Sequence, residues 1–246
     1  MTDADVINLS LLPWDSAFFG IQIARLSGTI LHESQLPEIG IWCRAKDVRC
    51  LYFLADSSSR ETLQTVHKGG FKYADTRMDL ERSLANFASQ QSQDSRISDA
   101  KESDLDVLQE MARRLHKNTR FFKDSNFPDE RAMELYAEWL RRSFHSPQSA
   151  IFTGRNSDGS PCGYIACENG ESGGTGRIGL IGIEESSRGQ GLGKALVGAA
   201  LEWLSSKGSS RVRVATQADN LAAVRLYIAN GFSPVQVGAW FHRWYA

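Results

Sequence analysis

The chain has 246 residues, with 41% in the set AVILMFWYC, 23% charged and a formal charge of −1. This is ordinary globular composition, long enough for one large domain or two small ones and for a core that needs no disulfide or metal staple. It argues against a mostly disordered chain. With 9 basic and 12 acidic groups in residues 1–95, and 19 and 17 in residues 96–246, it also argues against broad nucleic-acid binding.

No run approaches the roughly 18 apolar residues of a membrane helix, so no membrane partner is expected. The acidic start, Met1-Thr2-Asp3-Ala4-Asp5, lacks the basic-then-apolar order of a secretory leader, and a cytoplasmic location is expected. Cys43, Cys50, Cys162 and Cys167 form no C-x-x-C pair, and the five histidines show no metal-ligand spacing. Free thiols and no metal are therefore expected. No repeat of 20–50 residues is visible.

Residues 1–82 read as a small α/β unit. Gly20 to Leu26 alternates apolar and polar residues, as a half-buried strand does. A helix is expected over 34–46, a buried strand over Cys50–Leu54, and a second helix over 58–68 ended by Gly69-Gly70. Phe71 to Leu80 reads as a strand. Ser83 to Ser95, SLANFASQQSQDS, is rich in Ser and Gln and reads as a linker.

The second unit covers 96–246. Ser103 to Asp106 resembles a capping box with Asp in place of Glu, followed by the stripe Leu105, Leu108, Ala112 and Leu115. Thr119-Arg120-Phe121-Phe122-Lys123-Asp124 reads as an aromatic and basic loop before a helix that starts near Pro128. Strands are expected at Ile151–Thr153 and Gly163–Cys167, joined by the turn 156–159, with a glycine-rich turn over 168–176. Gly176 to Ile183 reads as a strand whose Gly179 and Gly182 point to a bulge or a close backbone approach.

The next segment carries chemistry. Arg188-Gly189-Gln190-Gly191-Leu192-Gly193-Lys194 opens a helix with Leu192, Leu196, Ala199 and Trp203 on one face. The first amides of a helix lack internal partners and its dipole favours negative charge, so such a loop is an anion site. Neither G-x-G-x-x-G at a first βαβ unit nor G-x-x-x-x-G-K-[ST] is present; the pattern is R-x-x-G-x-G. By itself it reads equally as a plain glycine-rich strand–helix turn. A strand over Arg211–Thr216 follows, then a helix over Leu221–Asn230 with Gly231 as its left-handed cap, and a final pair of strands holding Phe232 and Trp240–Trp244.

Arg188-x-x-Gly191-x-Gly193, then Asn220, then Tyr227 ahead of Asn230-Gly231-Phe232 resembles the GCN5-related N-acetyltransferase (GNAT) superfamily in order and spacing, over about residues 96–246. The resemblance implies an α/β (α+β) acyl-CoA fold with a splayed mixed sheet, preceded here by a smaller α/β N-terminal domain. It implies acetyl-CoA as cosubstrate, with the CoA pyrophosphate on the amides of Gly189, Gln190, Gly191, Leu192, Gly193 and Lys194 beside Arg188. It implies pantetheine held by Ile181, Gly182 and Ile183 as an added strand would be, a CoA contact at Asn220 and a general acid at Tyr227. Read on their own, Asn220 is also a good helix cap and Tyr227 a good core aromatic. Elementary chemistry agrees with the implied roles. An amine attacking a thioester makes an oxyanion that a backbone N–H freed near Gly182 would stabilise. The leaving thiolate needs a proton, which a tyrosine can supply. The base is open among Glu184, Glu185, His242 and a water chain.

Trp14-Asp15-Ser16-Ala17-Phe18-Phe19-Gly20, with Thr119-Arg120-Phe121, Phe127, Tyr136 and Trp139, is similar to the two-domain TDP-fucosamine acetyltransferase group. That implies a small-molecule acceptor, a TDP-linked 4-amino-4,6-dideoxy sugar, with Arg120 and Phe121 as candidates for its pyrophosphate and thymine. A peptide terminus or small amine as acceptor, and a non-catalytic acyl-CoA-binding module, are the alternatives. An exposed edge in the C-terminal strands would offer a homodimer contact.

Overall fold

A computed structural model describes residues 7–85, 87, 94–170 and 174–245. Most of the expected linker (residues 86 and 88–93), and residues 171–173 of the expected glycine turn, lie outside the described residues. Contacts gather the chain into two units, Met1–Arg77 with Thr119–Pro128 and Val237–Ala246, and Met78–Asn118 with Asp129–Gln236. The division is not sequential, because two long strands, β4 (Lys72–Ser83) and β10 (Ser233–Trp244), each begin in one unit and end in the other.

The first unit holds β1 (Leu9–Leu11), α1 (Pro13–Phe19), β2 (Ile23–Leu26), α2 (Leu36–Ala45), β3 (Cys50–Asp56) and α3 (Arg60–Lys68). The segment Trp14 to Phe19 is helical, started by Pro13 and stopped by Gly20 at φ 70°. β1 runs antiparallel to β2, β2 parallel to β3, and β3 antiparallel to β10, with Tyr52 opposite His242. The period of two sends Leu26, Leu51, Phe53, Ala55 and Phe241 into one core with Ile39, Val66 and Phe71. Arg25, Tyr52 and His242 stand in a row on the opposite face.

The second unit adds β5 (Ile97–Asp99), α4 (Leu105–Leu115), α6 (Asp129–His145), β6 (Ser149–Arg155), β7 (Pro161–Glu168), β8 (Thr175–Ile183), α7 (Leu192–Ser206), β9 (Arg211–Gln217) and α8 (Leu221–Ala229). Its strands lie in the order β4-β9-β8-β7-β6-β5, with β8 parallel to β9 and β5 to β8 antiparallel to one another. The core forms where α7 lays Leu192, Leu196, Val197, Ala200, Leu201 and Leu204 against Ile165, Ile178 and Val214. Among the described residues no helix is long and apolar enough to cross a membrane, and no cluster of metal ligands is present. The four cysteines are free and buried.

Four expectations are corrected. The capping carboxylate is that of Asp104, which accepts from Lys101 N at 2.9 Å; the box runs from Lys101 to Asp104, two residues earlier than expected, and residues 102–104 form a 3-10 turn. The expected loop 119–124 contains a short helix, α5 (Arg120–Lys123), because the aromatic rings bury one side of it. The final pair of strands is a single strand, β10, with Phe232 just ahead of it. The bulge in β8 sits at Gly179 rather than near Gly182, since Ala166 faces Leu180 while Cys167 faces Ile178.

The structure also shows a duplication of longer separation than any sequence period. β3, α3 and β4 match β9, α8 and β10 in length and in spacing, residue for residue. Ser59 caps α3 by accepting from Thr62 N, and Asn220 caps α8 by accepting from Ala223 N. Gly70 and Gly231 sit at φ 72° and 76°. The amide of Phe71 donates to Val66 O at 3.0 Å, as that of Phe232 does to Tyr227 O at 3.1 Å. The match continues back through the end of the preceding helix: Lys46 N donates to Trp42 O and Val48 N to Cys43 O, as Lys207 N does to Trp203 O and Ser209 N to Leu204 O. Position for position, Val66 stands where the second copy has Tyr227.

A left-handed residue costs a side chain about 1–2 kcal/mol. Gly70→Ala and Gly231→Ala are each expected to lower stability by about that amount, read as a drop in the urea midpoint with an unchanged slope.

Candidate active site

The site in the second unit begins where a ladder ends. β8 and β9 pair from Thr175↔Arg211 to Ile178↔Val214, and both strands then continue, β8 to Ile183 and β9 to Gln217. β8 stays paired to β7 through Ile183↔Gly163, so its last residues have one edge bonded and one edge open. Glu184 N donates to Cys162 O at 2.9 Å, while Ile183 O is turned the other way and accepts from Arg188 Nε at 3.1 Å. Alternate residues of an antiparallel strand share a direction, so Ile181 faces the open edge with Ile183. Gly182 has room for hydrogen only: a Cβ there would lie 2.7 Å from Tyr164 Cε1 and 3.0 Å from Leu115 Cδ1.

The turn after β8 holds the loop that the sequence marks as a candidate anion site. Gly189 and Gly191 take φ 74° and 79°, and Gly191 caps α7 with no side-chain hydrogen bond to its first turn. The first-turn amides of Leu192, Gly193 and Lys194 therefore point outward. The Leu192 side chain is buried against Gly154 and Gly163, which anchors the loop, while Lys194 is exposed. Gln190 folds back, its Nε2 donating to Ser186 O at 3.1 Å. Sequence reading misses Arg96, which donates to Gln190 O at 3.1 Å and is itself held by Asp94 at 2.7 Å. With that carbonyl held by a cation, the amides that follow it are left for an anion. No local pattern marks Arg96, because it lies far from the loop in sequence.

Asn220 Oδ1 accepts from Ala223 N at 3.1 Å, so the residue caps α8. Its Nδ2 has no partner among the described residues. Tyr227 is 2% exposed, with its ring edge-on to Phe232 at 5.5 Å. Burial pushes its phenol above the ordinary value, so the proton stays on the oxygen.

The candidate bases separate. Glu184 is paired to Arg114 at 2.7 Å, and Glu185 is exposed. His242 belongs to the first unit, fully buried, with Nδ1 on Asp124 at 2.7 Å and Nε2 on Arg120 at 3.1 Å. Both ring nitrogens are occupied, so His242 has no lone pair for a substrate. The second unit supplies an imidazole that sequence reading did not single out. His116 Nε2 is 2.6 Å from Tyr164 Oη, its ring stacks on Tyr136 at 4.9 Å, and Nδ1 has no partner among the described residues. Burial lowers its pKa to about 4, so it is neutral. Tyr164 is the side chain that packs on Gly182.

In the first unit, Arg120 lies over the rings of Tyr52, Phe121 and Trp240 at 4.2, 4.4 and 4.3 Å. Phe121 is 2% exposed; Arg120 lies against it and Phe19 stacks on it at 5.5 Å, so it has no open face for a base.

Two histidines have folded pKa values of about 4, His116 and His242, both lowered first by burial. The ordinary value is about 6.5, so between those limits the unfolded chain binds protons that the folded chain does not. Stability is expected to fall as pH drops from about 6.5 toward 4. His242→Gln is expected to remove about half of the histidine contribution to that slope, measured from urea midpoints between pH 5 and 6.5.

The sequence profile of the Acetyltransferase (GNAT) family matches residues 110–232. The chain is 29% identical over 236 residues to the dTDP-fucosamine acetyltransferase of Escherichia coli O6:H1, covering 94% of this chain and 96% of that protein. Its fold is similar to a GCN5-related N-acetyltransferase from Sphaerobacter thermophilus, with a TM-score of 0.65 at 14% identity, covering 96% of this chain and 76% of that one. It is also similar to a tandem GNAT protein from the clavulanic acid biosynthesis pathway, with a TM-score of 0.62 at 14% identity, covering 92% and 76%. Together with the interrupted ladder and the glycine turn that follows it, the match over half of the sequence means that the chain belongs to the acetyltransferase (GNAT) family.

Proposed function

We propose that the chain transfers acetyl from acetyl-CoA to the amine of a nucleotide-linked sugar, a TDP-4-amino-4,6-dideoxyhexose. The observation that carries the acyl-CoA half is the early end of the β8–β9 ladder directly before the glycine turn. An extended amide-bearing ligand can add to the open edge at Ile181 and Ile183 as a strand would. The amides of 189–194, with Arg188 and Lys194, then meet its pyrophosphate. Asn220 offers Nδ2 to the same ligand while its Oδ1 caps α8. The acceptor half rests on the Trp14-Asp15-Ser16 opening and the near full-length relative that acts on dTDP-fucosamine. Arg120 meets the acceptor pyrophosphate, and Phe121 acts through Arg120 by packing beneath it.

The acceptor nitrogen attacks the thioester carbon. The resulting oxyanion is stabilised by an open-edge backbone N–H of β8. The C–S bond breaks and the thiolate takes the Tyr227 proton. His116, as the tautomer whose Nε2–H donates to Tyr164 Oη, takes the proton shed by the amine on the Nδ1 lone pair.

Tyr227→Phe is expected to keep acetyl-CoA affinity while kcat falls by about 10²–10⁴, and His116→Gln to lower kcat by about 10². Unchanged rates would remove the residue concerned from the mechanism. Acetylation of TDP-4-amino sugars but not of peptides or simple amines, followed by thiol release, tests the acceptor.

Arg96→Ala is expected to raise the Kd for acetyl-CoA about tenfold, the worth of one charge-assisted hydrogen bond. The kcat at saturation is expected to stay unchanged, read by calorimetry and steady-state kinetics.

A further inference from the structure

The duplicated β–α–β segments have diverged. The second copy carries Tyr227 and follows the R-x-x-G-x-G turn. The first has Val66 at the tyrosine position, and its helix α2 is preceded by His32-Glu33-Ser34-Gln35 rather than by a glycine turn. The first unit therefore has neither the amide cradle nor the acid of an acetyl-transfer site. What it has is a cationic sheet face. Arg120 is half-buried over Trp240 at 4.3 Å, and Arg25, exposed on β2, lies over the same ring at 5.6 Å. Among the described residues neither guanidinium has a carboxylate within ion-pair distance. Burial lowers the pKa of Arg25, and the like charges of Arg120 and Arg77 lower it further. Two acidic side chains of the same unit lie nearby. Asp124 accepts from His242 at 2.7 Å and from Trp244 Nε1 at 2.9 Å. Asp15 is close enough to feel Arg120, yet burial holds its pKa above the ordinary value.

Two like charges on one ring, with no carboxylate bonded to either among the described residues, are an arrangement that a bound polyanion relieves. The aromatic rings soften the repulsion through their negative faces but do not neutralise it. Among the described residues the only hydrogen-bond partner of Arg120 is the neutral Nε2 of His242, which leaves its other donors available.

We propose that Arg25 and Arg120, flanking Trp240 in the first unit, bind a diphosphate, one guanidinium to each of two linked phosphates. The identity of the diphosphate rests on the nucleotide-sugar reading above; the site itself does not. His242 is a positioning residue, fixing Arg120 without cancelling its charge.

The test is calorimetry on the full chain, with the acyl-CoA site filled by saturating CoA. Inorganic phosphate, inorganic pyrophosphate and dTDP are titrated into wild type, Arg25→Ala and Arg120→Lys. Pyrophosphate and dTDP are expected to bind wild type at least tenfold tighter than phosphate. Each variant is expected to lose at least tenfold in both, with acetyl-CoA affinity, measured separately, within twofold of wild type. Arg25 is exposed, so Arg25→Ala keeps the test valid if the Arg120 variant is unstable. Equal pyrophosphate affinity in wild type and Arg25→Ala, or no pyrophosphate binding to wild type, overturns the site. Pyrophosphate binding that the variants abolish, with no added affinity for dTDP, supports the site and instead overturns the nucleotide-sugar acceptor.

Discussion

The arrangement depends on one interrupted ladder. A backbone N–H or C=O inside a sheet is expected to find a partner, and leaving it without one costs roughly what a hydrogen bond is worth. In the second unit β8 gives up its β9 partner after Ile178 but keeps its β7 partner through Ile183. The strand stays paired on one edge and has no ladder partner on the other, where Ile183 O accepts from Arg188 instead. Everything around it serves that state. The extra residue at Gly179 increases local twist where the strands part. Gly182 lets Tyr164 pack against the backbone, and Tyr164 in turn fixes His116. Arg188 reaches back to Ile183 O, so the turn after the strand is tied to the strand itself. The same residues that line the open edge thus also place the glycine turn and the His116 imidazole.

The duplication shows what the scaffold requires and what the chemistry requires. Both copies keep a side-chain cap on the helix, a left-handed glycine after it and a phenylalanine that returns its amide to the helix end. Those features close a β–α–β turn and bury its corner, and they are needed wherever the motif is used. Tyr227 and Val66 occupy the same corner and are both buried. Packing accepts either, since both fill apolar space. Only the tyrosine carries a hydroxyl that can donate a proton, so the two corners share their packing and differ in the chemistry they offer. Asp47 at φ 51° stands where the second segment has Gly208 at φ 84°, so the left-handed backbone is kept with a different residue.

Local chemistry made much of this legible. The period of two in β3 and β9, the stripe of α4, and the Gly-x-Gly opening of α7 each follow from neighbours within a few residues. The R-x-x-G-x-G turn, Asn220 and Tyr227 could be recognised as a set because their spacing is fixed by one strand–helix–strand path. What stayed hidden depends on distant partners. Arg96 acts on Gln190, and His116 on Tyr164, across gaps that no window spans. The segment 119–124 looked like a loop because its six residues carry no helical period; burial of Phe121 among Phe19, Phe127 and Tyr52 makes one turn of helix there. The duplication escaped because only backbone geometry and a few glycines survive, whereas the side chains that a sequence comparison weighs have changed.

The choice of partner for Arg120 follows from the same economy of charge. A carboxylate would hold a half-buried guanidinium more strongly than an imidazole does. It would also neutralise it, and an anion arriving later would then have to compete with an existing ion pair. A neutral His242 supplies direction without charge. It can do so only if it stays unprotonated, and burial in the first unit secures that by lowering its pKa to about 4. Its tautomer must also leave Nε2 as the acceptor, which Asp124 secures by accepting a hydrogen bond from Nδ1–H. Trp244 Nε1 and Asn126 add donors to Asp124, and together these hydrogen bonds outweigh the burial that would otherwise raise its pKa. The chain from Trp244 through Asp124 and His242 to Arg120 therefore carries orientation outward and keeps the positive charge at its end uncompensated, which is the condition a guanidinium needs to meet a phosphate rather than a side chain.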